Sequence, residues 1–444
     1  MKGPDAAVPA PTGPRGDRST LTVLLLASTL TVMAGAVLVP VVELIRTDLG
    51  LSSGAAGLIL TAHGLSLAVS GPVIGKAMDR WGVRGPLAAG LLLYGVAGAA
   101  GMVVTSYPVL IASRLVFGVG AAVIFTGTTL SLLNLFDGAA RDRAMGYRGT
   151  AISLGGIFFP LVGGALGAIS WHAPFAVYLL GLPLGLAVLR LLPDSAPHPA
   201  PGGGKPRRLF SVPAGVLVLC GLQFVASGLL YGVLVFLPLR LAEIGVTNPF
   251  TVALFTATMS LVMSVVGLGY APLRARLGNP RLVIGSFATW TVALAILAVT
   301  ELPVLFLVAP SIFGIGMGLA VPALTLMVGE QVPPHQRGQA TAVLATATFT
   351  GQFVSPLVLG PVQGATSIPT TFAVCAALAG VVLVGLLVMY RSSLRGGPTA
   401  PGPQSGPGSA PGPQPAGAGP AAGAPAPGRG GAAGQPEPER AGPG

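Results

Sequence analysis

The sequence predicts an all-α integral membrane protein with twelve transmembrane helices, arranged as two pseudo-symmetric six-helix bundles. Three observations predict this class: the length of the apolar blocks, the sidedness of the positive charge, and a repeat at one fixed offset. Of the 444 residues, 52% are hydrophobic and only 8% are charged. Because a soluble domain carries about 25% charged residues, water cannot surround most of this chain.

The apolar residues come in blocks too long for the core helices of a soluble protein. A bilayer core needs about 20 apolar residues per helix. The first block is too long for the roughly 7–15-residue core of a cleavable signal peptide, and further spans follow it directly. The sequence contains twelve such blocks, numbered here as spans 1 to 12: 20–42, 54–75, 86–105, 108–134, 149–170, 174–192, 213–236, 250–270, 282–300, 303–328, 339–361 and 369–390.

The positive charge lies almost entirely on one side of the predicted membrane. All but three of the 24 Lys and Arg residues fall at the N-terminus, around the loops after even-numbered spans, or after span 12; the exceptions are Arg46, Arg114 and Arg240. Since basic loops stay cytoplasmic during insertion, we expect a multi-pass plasma-membrane protein with both termini in the cytoplasm. The net charge of +11 then indicates contact with anionic lipid head groups, and it requires no nucleic-acid partner.

Residues 196 positions apart match over much of the chain. Six spans per copy is an even number, so both copies enter the membrane in the same sense. Parallel repeats of this kind are an established transporter plan, with the binding site near the midplane between the halves. The matches include Arg80 and Arg276, Gly82 and Gly278, Phe117 and Phe313, Gly118 and Gly314, Arg141 and Arg337, and Pro160 and Pro356.

The repeat and the composition together divide the chain into five segments. The two predicted bundles cover residues 19–192 and 213–395, and a polar cytoplasmic connector, 193–212, joins them. Residues 1–18 and the Pro/Gly/Ala-rich tail 396–444 are expected to be disordered and cytoplasmic. Such segments bury too little apolar surface to offset the entropy cost of ordering them.

No residues are arranged for metal binding, redox chemistry or catalysis. Cys220 and Cys375 fall inside predicted spans and suggest no disulfide framework. The four histidines lack the spacing of metal ligands, and no Ser/His/Asp or paired-carboxylate constellation lies at a membrane face. We therefore expect no cofactor, no metal and no enzymatic activity.

The loop after span 2 carries the most specific motif of the chain. It reads GKAMDRWGVR over residues 75–84, which resembles the G-x-x-x-D-R-x-G-x-R/K signature of the major facilitator superfamily. The resemblance implies a cluster that latches the cytoplasmic side in the outward-open state, with the arginines bridging to the other half; the alternative is a basic loop that only sets topology. The latch residues are Gly75, Asp79, Arg80, Gly82 and Arg84.

Two further motifs support the same resemblance. Span 4 contains RLVFGVGAA from Arg114, which is similar to the family's R-x-x-q-G-x-g-a-a signature. An arginine inside a span costs at least about 2.5–3.5 kcal/mol on insertion scales, so it should face a cavity or a partner; the alternative is that it snorkels to the interface. Span 5 resembles the g-x-x-x-G-P-x-x-G-G signature of the twelve-span drug:proton antiporter branch, at Gly155, Pro160, Gly163 and Gly164.

Polar residues present in only one copy of the repeat are candidate site residues, because packing alone should leave both copies alike. His63 opposes Met259 near the middle of span 2, and with Arg114 it is a candidate for proton coupling; a structural histidine is the alternative. Span 1 carries no mid-span acid of the kind that many drug:proton antiporters use. The substrate-cavity candidates, which otherwise bond between helices, are Gln223, Tyr231 and Gln352.

The resemblance implies proton-driven export of a small amphiphilic or hydrophobic compound, either drug-like or a secondary metabolite, by alternating access. We expect a small-molecule substrate, protons as the coupling ion, the lipid bilayer as surroundings and a monomeric state. Two alternatives stay open: an uptake or facilitated-diffusion porter for a nutrient or metabolite, and a non-transporting receptor or scaffold with the same fold.

Overall fold

The computed structural model describes residues 18–193, 212–333 and 336–395. Residues 1–17, most of the predicted connector and the predicted tail lie outside this part. Within the described ranges every regular element is helical, and twelve helices are long and apolar enough to cross a membrane. The predicted all-α class and the predicted number of spans are therefore confirmed.

The helices follow the predicted spans closely, apart from span 5. Span 1 breaks at the 3₁₀ turn Val39–Val41, where Pro40 removes a backbone donor. In the first half the helices are Arg18–Ala36 with Val42–Asp48, Ser53–Trp81, Arg84–Ala99, Tyr107–Leu135, Gly138–Gly167, and Ala173–Leu180 with Gly181–Leu191. In the second half they are Ala214–Glu243, Pro249–Leu268 with the short Tyr270–Leu277, Asn279–Val299, Leu305–Glu330, Arg337–Ala365 and Ile368–Arg395.

The 196-residue repeat reappears in the backbone. The first helices of the two halves begin at Arg18 and Ala214, which are 196 residues apart. Gly82 and Gly278, separated by the same offset, both adopt the left-handed conformation, with φ angles of 74° and 77°. A residue with a Cβ atom is strained there, so the sequence keeps glycine at this turn in both copies.

Span 5 begins eleven residues earlier than predicted, at Gly138 instead of residue 149. The charged segment that the sequence placed in a loop therefore belongs to the helix. Its exposed first turns carry Arg141, Asp142 and Arg143, and an ion pair of 2.9 Å joins Arg141 to Asp137 at the start of the helix. Because only the part inside the hydrocarbon must be apolar, a transmembrane helix can extend beyond the membrane with charges on its surface.

The two halves approach most closely at one end of the molecule. We call the end at which span 1 begins the terminal face, and the other end the opposite face. At the opposite face, a Cβ atom on Gly360 of span 11 would lie 2.6 Å from the Cα atom of Gly54 in span 2. At the equivalent crossing of spans 5 and 8, a Cβ atom on Gly164 would lie 2.7 Å from the carbonyl oxygen of Pro249. Glycine thus allows backbone to touch backbone and closes this face.

Toward the terminal face the same spans are loosely surrounded. Added Cβ atoms on Gly71, Gly149 and Gly338, which lie on spans 2, 5 and 11, would meet no atom within 4 Å. A cavity of about 560 Å³ lies between span 5 and spans 8 and 10 here, and Gly149, Met263 and Gly267 belong to its lining. The crossing of spans 5 and 8 is therefore closed at the opposite face and open toward the terminal face.

We predict that Gly360→Val opens the opposite face. The valine side chain cannot fit against Gly54, and overpacking of this kind costs about 1–3 kcal/mol, which lowers the equilibrium constant for closure by roughly 5-fold to 160-fold. Spin labels on Thr47→Cys and Thr366→Cys, in a background lacking the two native cysteines, should report a longer mean distance between the halves.

The matched control is Gly364→Val, one turn further along the same helix, where an added Cβ atom meets nothing within 4 Å. This variant should keep the parent distance distribution. Equal distances in the Gly360→Val protein and the parent would contradict the assignment of this crossing as the closure.

Candidate functional site in the cavity between the halves

A cavity of about 300 Å³ lies between the two halves. Spans 1, 2, 4 and 5 of the first half and spans 7, 8 and 11 of the second contribute its walls. Most of the lining is apolar, and no carboxylate belongs to it. A small amphiphilic compound fits such walls better than a sugar or a multiply charged ion does. The polar side chains of the lining are Thr31, His63, Ser153, Tyr231, Thr256, Ser260 and Gln352.

His63, one of the predicted proton-coupling residues, lies in the cavity wall. Its ring is almost fully buried and meets the ring of Phe117 edge-to-face at 6.0 Å between centroids. The Nδ1 atom is buried without a hydrogen-bond partner among the described residues. Spans 2 and 4 fix this position, because a Cβ atom on Gly118 would lie only 2.5 Å from the His63 carbonyl oxygen.

Tyr231 and Gln352, two of the three predicted cavity residues, do line the cavity. The Tyr231 hydroxyl reaches across to span 1, where a Cβ atom on Gly35 would lie 3.0 Å from its oxygen. Gln352 reaches toward span 2, where a Cβ atom on Gly64 would lie 3.9 Å from its Oε1 atom. The Tyr231 hydroxyl thus occupies space that Gly35 leaves free, and Gln352 lies beside Gly64 across the boundary between the halves.

The structure places Gln223 differently from the prediction. Gln223 is buried but is not part of the cavity lining. Its Nε2 atom donates a hydrogen bond of 3.2 Å to the Ser227 hydroxyl oxygen, one turn along the same helix. In this conformation Gln223 therefore lies outside the cavity lining, and its amide group bonds within its own helix.

Arg114 is fully buried in the first half, behind the cavity wall. Its Nη2 atom donates to the carbonyl oxygens of Gly98 at 2.6 Å and Ala97 at 3.3 Å, in the last turn of the span 3 helix. A cation at the negative C-terminal end of a helix is stabilised by the aligned peptide dipoles. The buried guanidinium of Arg114 therefore has hydrogen-bond acceptors inside the protein, and its side chain does not extend to the membrane interface.

Three aromatic rings complete the surroundings of Arg114. Its guanidinium carbon lies 4.5 Å from the centroid of Phe117, 5.0 Å from Tyr178 and 5.2 Å from Phe175. Phe117 is also the ring that His63 meets. The structure thus brings both predicted coupling residues against one phenylalanine, and of the two only His63 belongs to the cavity lining.

The latch motif lies at the terminal face. Asp79 and Arg80 occupy the last turn of the span 2 helix and are exposed, and Gly82 makes the turn that follows. Asp79 forms no hydrogen bond or ion pair with the described residues. Arg84 donates to the Leu189 carbonyl oxygen at 3.0 Å, which lies in its own half. This hydrogen bond joins Arg84 to span 6 of the first half, so the role of Arg84 in a bridge to the other half stays a prediction.

The remaining motif glycines divide between the two ends. Gly75 lies within span 2, where an added Cβ atom meets nothing within 4 Å, so packing does not explain it here. In span 5, Gly155 packs on Val32, and a Cβ atom on Gly163 would lie 1.9 Å from the Val37 carbonyl oxygen. Pro160, between them, lines the cavity.

Sequence reasoning missed Arg148, which lies ten residues into the span 5 helix. Its guanidinium carbon is 5.5 Å from the centroid of Phe125, a cavity residue. Its Nε and Nη2 atoms are buried without a hydrogen-bond partner. The repeat contained a signal for it. Span 11, the repeat counterpart of span 5, was predicted to begin at residue 339, which corresponds to residue 143 in the first half. A span 5 that began at residue 143 would include Arg148.

The family assignment follows from the chain as a whole. The family model described as Major Facilitator Superfamily matches residues 24–270 and 219–427. The chain belongs to the major facilitator superfamily. It is thus a multi-pass membrane transporter of small molecules and not an enzyme, and its two-bundle architecture is the major facilitator fold.

Several individual proteins of known name are similar to this chain. The chain is 28% identical over 373 residues to tetracycline resistance protein, class C, of Escherichia coli, covering 79% of this chain and 91% of that protein. It is 23% identical over 378 residues to the quinolone resistance protein NorA of Staphylococcus aureus, covering 80% and 93%. A solved POT family transporter in complex with 5-aminolevulinic acid superposes with a TM-score of 0.72 at 15% identity, covering 85% of this chain and 98% of that one; this likeness shows the fold.

We predict that Arg114→Leu destabilises this transporter. The substitution removes two charge-assisted hydrogen bonds and leaves carbonyl groups at the end of span 3 without their donor, a loss of about 1.5–3 kcal/mol. The midpoint of thermal unfolding in detergent should fall, and it should fall less for Arg114→Lys, which keeps a cation at the helix end. Arg190→Leu, at an exposed arginine of the same half, is the control and should leave the midpoint unchanged. An unaltered midpoint in the Arg114→Leu protein would refute the capping role.

Proposed function

We propose that this superfamily member is a monomeric plasma-membrane exporter that exchanges a small amphiphilic or hydrophobic compound for protons by alternating access. The observation that carries the proposal is the cavity between the halves, which is apolar, closed at the opposite face and open toward the terminal face. With both termini in the cytoplasm, as the charge distribution predicts, the described conformation is inward-open and ready to load a compound from inside. The resistance-protein relatives support export.

His63 is the proposed carrier of the coupling proton. It is the cavity residue whose side chain ordinarily titrates near neutral pH, and no carboxylate of the lining competes for that role. Its Nδ1 atom has no hydrogen-bond partner, so a proton there would not break an existing bond. Arg114, behind Phe117, contributes a fixed positive charge to this proposal, because it is already held by carbonyl groups and aromatic rings.

We predict that His63→Gln abolishes proton exchange. Glutamine keeps hydrogen-bonding capacity and comparable size but binds no proton in this pH range. In proteoliposomes with an imposed pH gradient, addition of tetracycline or of a fluorescent quinolone should release protons from the parent protein. The His63→Gln protein should bind the compound without releasing protons and should lose gradient-driven accumulation.

His172→Gln is the matched control. His172 lies at the opposite face, where its ring stacks on Trp171 at 3.5 Å between centroids, far from the cavity lining. It should keep coupled transport. Accumulation by the parent protein with no dependence on the pH gradient would contradict antiport and favour a facilitated-diffusion porter. Binding without flux in either direction would favour the receptor alternative.

We predict that Asp79→Asn slows transport without weakening the described conformation. Asp79 makes no polar contact here, so the midpoint of thermal unfolding should stay unchanged. If Asp79 latches the terminal face in the outward-open state, loss of a charge-assisted contact should lower the transport rate by about tenfold. Asp142→Asn, at another exposed acid of the same face, should change neither quantity. A transport rate equal to that of the parent protein would remove the latch from the proposal.

A further inference from the structure

Away from the two faces of the molecule, the charged side chains of the described helices are arginines. Arg114 and Arg148 lie within the spans, and the described acids lie near the two faces of the molecule. No described carboxylate lines the cavity. A cationic compound would therefore enter a site with no counter-charge. The described acids are Glu43, Asp48, Asp79, Asp137, Asp142, Glu243, Glu301 and Glu330.

Both arginines have buried nitrogen atoms without a hydrogen-bond partner among the described residues, namely Nε and Nη1 of Arg114 and Nε and Nη2 of Arg148, but only Arg148 has no protein acceptor at all and contacts a ring of the cavity lining. Arg114 donates to two carbonyl oxygens, and its guanidinium is enclosed by three rings. The Nε and Nη2 atoms of Arg148 are buried with no acceptor. One turn further along the same helix, Ile152 and Ser153 line the cavity, so Arg148 stands at its terminal-side mouth.

Among the described residues, no carboxylate forms an ion pair with Arg148. Asp142 is six residues earlier on the same helix, a spacing that turns it away from Arg148. The ring of Phe125 compensates part of the charge. A partly desolvated guanidinium without an acceptor is unfavourable, and an incoming carboxylate, sulfonate or phosphate would satisfy both nitrogen atoms with charge-assisted hydrogen bonds.

The rings beside Arg148 suit the apolar part of the same molecule. Phe125 meets Phe349 of span 11 edge-to-face at 5.8 Å between centroids, and both rings line the cavity. We propose that Arg148 binds the negatively charged group of the transported compound, so that the substrates of this protein are amphiphilic anions. That the bound compound is also transported rests on the proposed function, but its binding at Arg148 can be measured without any transport.

The test compares two dyes that share one ring skeleton and differ in charge. Full-length protein in nanodiscs of neutral phosphatidylcholine is titrated into fluorescein, an anion, and into rhodamine 123, a cation, and binding is followed by fluorescence anisotropy against empty discs. The parent protein should bind fluorescein at least about tenfold more tightly than rhodamine 123, the size expected for charge-assisted hydrogen bonds. Equal affinity, tighter binding of rhodamine 123, or no binding of fluorescein would overturn the proposal.

Substitutions then assign the preference to one residue. Arg148→Gln should weaken fluorescein binding by about tenfold or more and leave rhodamine 123 unchanged or tighter, while Arg148→Lys should keep much of the preference for the anion. Arg143→Gln removes the same charge from the exposed first turns of the same helix and should behave as the parent. An equal loss of affinity for both dyes in the Arg148→Gln protein would show a structural role and contradict the proposal.

Two further arms separate the remaining explanations. If the Arg148→Gln protein does not fold, the dye preferences of the parent protein and of Arg148→Lys still test the proposed anion site. Loss of fluorescein binding when the discs contain anionic phosphatidylglycerol would assign the site to lipid head groups and overturn the proposed substrate class. Anion-selective binding without proton-driven flux would contradict the proposed exporter and support the anion site. Proton-driven export of rhodamine 123 without fluorescein binding would support the exporter and contradict the anion site.

Discussion

The crossing of spans 2 and 11 at the opposite face leaves no room for any side chain between the backbones. Gly54 and Gly360 touch there, and Gly164 makes the corresponding contact with span 8. In lipid, association of helices depends on close packing more than on the hydrophobic effect, so these contacts hold the halves together where they are closed. Everything nearer the terminal face depends on them, because the cavity exists only as long as the spans diverge from these two points.

Between these contacts and the terminal face, a glycine of one half faces a polar side chain of the other half. Gln352 reaches toward Gly64, and at the equivalent crossing a Cβ atom on Gly156 would lie 3.7 Å from the Ser260 hydroxyl oxygen. Gly64 is the repeat partner of Ser260, and Gly156 is that of Gln352. At the crossing of spans 2 and 11 the glycine lies on span 2. At the equivalent crossing of spans 8 and 5 it lies on span 5, the repeat counterpart of span 11. The duplicated scaffold keeps its symmetry, and the cavity becomes chemically asymmetric without a change in backbone spacing.

The sequence was sufficient to predict the twelve spans, because the length of an apolar block depends on burial in the membrane, and the repeat differences pointed to Tyr231 and Gln352, which line the cavity. The prediction failed where it depended on which face of a helix a residue occupies, or on the residue at which a helix begins. Nothing in the pattern distinguishes the face of span 7 that carries Gln223 from the face that carries Tyr231. Arg148 was assigned to a loop because its neighbours are charged, although charges are tolerated on a helix that extends beyond the membrane. The domain boundaries that fall in the connector lie outside the described residues.

An anion at Arg148 and a proton at His63 attract each other, so exchange of the two needs an opposing effect. Arg148 lies about nine residues nearer the terminal face than His63, roughly 13 Å along the helices at 1.5 Å per residue. Neutralising its charge at that distance favours an imidazolium by about 1 kcal/mol at an effective dielectric constant near 20. His63 is already almost fully buried, so an apolar body in the cavity could remove only the water that still reaches its ring, which disfavours the charged imidazolium further. The proposed exchange requires this dehydration to outweigh the attraction of about 1 kcal/mol, and it therefore favours a bulky amphiphilic anion over a small anion that leaves water beside His63.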